Sequence, residues 1–143
     1  MGAGAAGVCV LVWLAALCVY DIRERRLPNW LTLPGAAVII AAAAIHGRGG
    51  PAVLGAVALF ASYVVVHLVS PAAMGAGDVK LAIGIGALTG TFGSDVWVLA
   101  ALGAPMLTAG SAVVATLRRS GPTVPHGPSM CLAAATATAL AAI

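Results

Sequence analysis

A chain of 143 residues that is 62% hydrophobic and 8% charged, with a mean hydropathy of +1.08, lies far outside soluble composition, where about a quarter of residues carry charge. Four acids, seven Lys or Arg and three His cannot wet the exterior of a soluble globule of this size, which would aggregate. The numbers exclude a soluble enzyme and predict an all-α, polytopic membrane protein, with 1–143 forming one compact membrane domain.

Crossing a hydrocarbon core of about 30 Å takes roughly 20 apolar residues, fewer where neighbouring helices help. The first apolar run, about 3–20, has no basic start and leads into Asp21-Ile22-Arg23-Glu24-Arg25-Arg26 rather than a small-residue cleavage site. It reads as a first span and not as a secretion signal. Leu27-Pro28-Asn29 then forces a turn before a second run at 31–46. Gly47-Arg48-Gly49-Gly50-Pro51 separates this from a third run at 51–70, with Pro51 placed where a first helical turn tolerates it. Ser70-Pro71 ends that run, and a short fourth follows at 79–93. Gly93-Ser94-Asp95 breaks the chain again, with Ser94 or Asp95 expected to cap a fifth run at 95–117 that Pro105 should kink. Ser120-Gly121-Pro122 and Pro125-His126-Gly127-Pro128 lead into the sixth, at 127–143.

Six spans group the breaks at 21–30, 71–80 and 118–126 on one side, which holds Arg23, Arg25, Arg26, Lys80, Arg118 and Arg119, against Arg48 alone on the other. Because cytoplasmic loops retain positive charge, this places the basic loops in the cytoplasm and both termini outside.

Asp21 closes the first span and Asp78 opens the fourth. The two helices run in opposite directions, so both carboxylates are expected at the same cytoplasmic boundary. Acids there are site candidates because leaving them unsolvated and unpaired is costly. Two ordinary readings stay open: Asp21 pairing with Arg25, and Asp78 capping the fourth helix. Gly75 and Gly77, just before Asp78, permit an unusual backbone path and close approach of another chain. Pro28-Asn29 supplies a rigid turn beside the first helix end.

These residues carry a resemblance. Asp21 with Arg26-Leu27-Pro28-Asn29, the segment Met74-Gly75-Ala76-Gly77-Asp78-Val79-Lys80-Leu81, and Val124-Pro125-His126-Gly127-Pro128 resemble, in order, three motifs of the type IV prepilin peptidases, membrane aspartyl proteases of the G-x-G-D class. The resemblance implies that Asp21 and Asp78 are the catalytic pair and that Gly75 and Gly77 shape the second aspartate's loop. Lys80, Pro28 and Asn29 come along as secondary site residues. It implies no cofactor and no metal, and as partners prepilin-like membrane precursors with a short basic leader, cut on the cytoplasmic side of the cell membrane beside a glycine that precedes an apolar helix. The cysteine-rich zinc insertion of longer members, which also methylate, has no counterpart here, so a peptidase alone is expected. Beyond lipid and precursor, no nucleic-acid partner is expected.

The remaining polar residues have plainer readings. Lys80 should snorkel to head groups, Glu24 should be a solvated loop acid, and Arg23, Arg25 and Arg26 should set topology and meet anionic lipid. His46, His67 and His126 lack ligand spacing, and Cys9, Cys18 and Cys131 form no Cys-x-x-Cys pair, so no metal site or disulfide framework is expected. Ala82, Gly86 and Gly90, with Gly84 nearby, make a small-residue face suited to seating the fourth helix on a neighbour in the same chain. Two rival functions draw on the same acids or need neither: an ion relay in a small transporter or channel, and a non-enzymatic subunit of a pilus or secretion assembly.

Overall fold

The computed structural model describes residues 2–121 and 123–143. Each apolar run forms a helix: α1 (Gly2–Glu24), α2 (Asn29–Ile45), α3 (Gly49–Val69), α4 (Ala76–Phe92), α5 (Ser94–Leu117) and α6 (Gly127–Ala141). No strand occurs among the described residues. In lipid a helix satisfies its own backbone N–H and C=O groups, which open strands would not. Three helices, α1, α3 and α5, are long and apolar enough to cross a membrane, while α2 and α6 are shorter apolar helices. The turn expected at Ser120-Gly121-Pro122 includes Pro122, which lies outside the described residues.

The boundaries agree with those expected to within a few residues, and the two largest differences bear on the acids. Helix α1 continues to Glu24 and α4 begins at Ala76, so Asp21 and Asp78 sit inside helix ends rather than at their margins. Hydropathy marks where apolar side chains stop, but backbone hydrogen bonding runs on into the polar stretch. The expected cap of α5 is also corrected. Its N-cap position is Gly93, whose φ of 123° suits glycine, and no side chain bonds the free N–H groups. Asp95 lies in the first turn, where its charge still faces the helix dipole. Pro34 and Pro105 lie within α2 and α5.

Helix α4 occupies the centre, packed against α2, α3, α5 and α6, while α1 lies against α6. From Val79 to Gly90 it is buried almost continuously, which explains why a short helix rich in small residues suffices there. The small-residue face seats α4 on α3. A Cβ added to Gly55 would collide with the Gly86 carbonyl, one on Gly86 with the Gly55 carbonyl, and one on Gly90 with the Pro51 carbonyl. Such glycines let two backbones approach where lipid supplies no hydrophobic drive. On another side of α4 the Trp13 indole wedges against Gly35 and Gly84 and donates to the Leu31 carbonyl at 2.9 Å. Leu17, Leu81, Ile85 and Met130, all fully buried, join α1, α4 and α6. Val8, Leu11, Leu54, Leu99 and Met106 point outward, onto the surface that lipid covers.

Candidate active site

Asp21 is buried near the end of α1. Its Oδ2 accepts the Gly127 N–H at 3.0 Å, a contact that links residues far apart in the chain. Gly127 is the first residue of α6, whose own N-cap residue, His126, offers no side-chain acceptor to the helix. The carboxylate therefore satisfies one of the unpaired donors that every helix start leaves, and it sits at the positive end of the α6 dipole. Gly127 has to be glycine here, because a Cβ would run into the Asp21 carboxylate. The ordinary alternative, an Asp21–Arg25 pair, gives way to another arrangement. Arg25, with a left-handed φ of 51°, turns its Nη1 to Thr123, donating to Oγ1 at 2.7 Å and to the carbonyl at 3.3 Å.

Asp78 lies in the first turn of α4, half-buried, with Gly75 as the N-cap residue. Its carboxylate turns back toward the Gly75 amide, which is half of a capping box. In that first turn the carboxylate also faces the positive end of the α4 dipole. Asp21 and Asp78 reach the same end of the bundle, close enough for the charge of one to act on the other.

The turn after α1 and the loop before α4 grip each other. Gly77 packs on Leu27 so closely that a Cβ would stand 3.2 Å from the Leu27 Cβ. Lys80 Nζ donates to Asn29 Oδ1 at 2.8 Å, a bond that ties α4 to the start of α2. Pro28 is the N-cap residue of α2, with ψ of 137°. The unusual backbone path expected at Gly75 and Gly77 is not found. Gly75 has φ of −69°, and neither glycine is among those of positive φ. Close approach does occur, at Gly77, and it is Leu27 of the same chain that comes near.

Three site features were not singled out from the sequence. Gly127 stood inside a recognised motif, which was the available signal. His126 stood in the same motif, while Tyr63 carried no signal: the Tyr63 hydroxyl lies 3.0 Å from His126 Nε2, and Asp78 is near enough for its charge to reach the phenol. Cys18 and Cys131, remote in sequence, bring their thiols together beside Asp21. His67 Nδ1 lies 2.6 Å from the Met74 carbonyl and ties the end of α3 to the loop before α4. Among the described residues no group of three His, Cys, Asp or Glu could hold a metal ion.

Fold and site together define a helical membrane protein with two carboxylates at one end of its bundle and its loop motifs clamped around them. The model of the type IV leader peptidase family matches residues 8–142, and the chain belongs to that family. Membership makes it a protease of the leader-peptidase kind. No curated protein and no solved structure is matched.

Proposed function

We propose that this protein is an aspartyl endopeptidase that removes the short basic leader of prepilin-like precursors at the cytoplasmic face of the cell membrane, with Asp21 and Asp78 as its catalytic pair. The observation that carries the reading is that α1 and α4 deliver these two acids to one end of the bundle, within electrostatic reach of each other. Two carboxylates so placed resist double ionisation and share a proton. One then takes a proton from water as it attacks the scissile carbonyl, and the other gives its proton to the carbonyl oxygen. Collapse of the tetrahedral intermediate returns a proton to the leaving amine and regenerates the shared one. Neither metal nor cofactor enters the scheme.

Positive charge on the loops of this end sets the orientation, with both termini outside. Arg25 bonds Thr123 and keeps its positive charge at this end of the bundle. A transmembrane ion relay would need a polar path between the two ends of the bundle. Around α4 the middle is closed by glycine contacts and aliphatic side chains.

Co-expression with a precursor carrying a basic leader and a glycine ahead of an apolar helix, followed by reading the new N-terminus, tests the function. Cleavage beside the glycine is expected, and its loss in Asp21→Asn and Asp78→Asn with membrane insertion intact. An uncut precursor, or a cut elsewhere in the chain, would refute the proposed substrate class.

A further inference from the structure

Three side chains outside the aspartate pair form an unbroken polar path from α3 to α5 across the start of α6. The Tyr63 hydroxyl lies 3.0 Å from His126 Nε2, and Thr108 Oγ1 lies 2.6 Å from His126 Nδ1. Thr108 Oγ1 also lies 3.1 Å from the Ala104 carbonyl. A hydroxyl carries one proton, and a carbonyl only accepts. Thr108 therefore donates to Ala104, and its oxygen accepts from His126 Nδ1–H. That leaves Nε2 of a neutral ring as the acceptor for the Tyr63 O–H. Burial holds His126 below the usual imidazole range, in keeping with a ring that carries one proton. Every hydrogen in the path has a place.

The path ends beside the acids. His126 directly precedes Gly127, whose N–H bonds Asp21 Oδ2 at 3.0 Å, so whatever fixes residue 126 fixes the peptide group that presents that donor. The contact is demanding, since Gly127 has no room even for a Cβ against Asp21. No side chain caps α6 from within, and Tyr63 and Thr108 are the groups that hold His126 in place.

We propose that Tyr63, His126 and Thr108 are positioning residues, a hydrogen-bonded brace from α3 and α5 that keeps the Gly127 N–H on Asp21. The inference rests on the proposed catalytic role of Asp21. None of the three touches the reacting atoms, and the brace acts through geometry alone.

The test compares Thr108→Val, which keeps the side-chain shape but loses the acceptor, with Thr108→Ser, which restores the hydroxyl, and with Tyr63→Phe. All are assayed as full chains in membranes on the same basic-leader precursor, beside Asp21→Asn. Displacing a reacting group by a fraction of its contact distance costs up to roughly 100-fold in rate. Thr108→Val and Tyr63→Phe should lower kcat by about 10- to 100-fold with KM unchanged, and Thr108→Ser should return kcat to within about 2-fold of the parent. Wild-type kcat in Thr108→Val and Tyr63→Phe, with Asp21→Asn inactive, overturns the brace and leaves the aspartate pair standing. Activity in Asp21→Asn overturns the pair instead. A rise in KM at constant kcat would make these residues substrate contacts and also overturns the inference. Should Thr108→Val fail to fold, hydrogen exchange at the Gly127 amide in Tyr63→Phe decides: faster exchange is expected, and an unchanged rate is fatal to the brace.

Discussion

The two ends of the bundle are held by different physics. At the end that carries Asp21 and Asp78, side chains reach across between elements: Arg25 to Thr123, Lys80 to Asn29, Asp21 to Gly127, and Tyr63 through His126 to Thr108. Toward the other end the helices are seated mainly by absence, with Gly55, Gly86 and Gly90 letting α3 and α4 touch backbone to backbone, and with Arg48 donating to the Thr91 carbonyl at 2.7 Å and Trp97 Nε1 to the Gly55 carbonyl at 3.0 Å as polar ties. Glycine contacts fix helix spacing without directing any group. Hydrogen bonds fix direction, and directional control is found where two carboxylates must be aimed.

Breaking each kind of contact should therefore give different symptoms. The largest effect is expected from Gly127→Ala, whose methyl group would push the Asp21 carboxylate aside; cleavage of a basic-leader precursor should fall by roughly 100-fold or more while the protein still inserts. Normal cleavage by Gly127→Ala would show that the Asp21 contact is dispensable. Next comes Gly86→Val. Forcing side-chain volume into a packed contact costs about 1–3 kcal/mol, so its thermal midpoint in detergent should drop, while KM measured on the surviving folded fraction stays at the parent value. Asn29→Ala removes one hydrogen bond from the clamp, worth about 1 kcal/mol, and a loss of roughly 5-fold in kcat should follow. Adding Lys80→Ala should lower it no further, because both changes cut the same bond.

The smallest effect concerns acid stability. His126 stays neutral in the fold below its ordinary range, so between its folded and unfolded pKa values the unfolded chain binds more protons. Stability then rises with pH, and His126 contributes a loss as pH falls below about 6.5. Melting curves of His126→Gln should show a shallower decline on the acid side than the parent; an identical slope would mean that His126 does not titrate differently on unfolding.

Much of this architecture was legible from the chain alone, for identifiable reasons. Apolar runs broken by Pro and Gly at Pro28, Pro51, Pro71 and Gly93 mark six helices to within a few residues, because hydropathy and turn chemistry are both local signals. The small-residue face at Gly86 and Gly90 was readable by its four-residue recurrence. Its partner, Gly55 on α3, was not, since periodicity along one helix says nothing about which helix it meets. The same limit hid the Tyr63–His126–Thr108 path and the meeting of Cys18 with Cys131, contacts set by how helices rotate against each other. Asp21 and Asp78 were accessible because two antiparallel spans must bring matching ends to one face. What the motifs left open was the support within the chain, where Asn29 engages Lys80 and Leu27 packs on Gly77.

Cleavage rates of Asp21→Asn, Asp78→Asn and the double variant, measured in the same membranes on one basic-leader precursor, test the central claim most directly. If the two carboxylates work as one unit, either single change removes as much activity as both together, on the order of 100- to 10,000-fold. A single variant that still cleaves at the parent rate, or losses that multiply in the double variant, would contradict it.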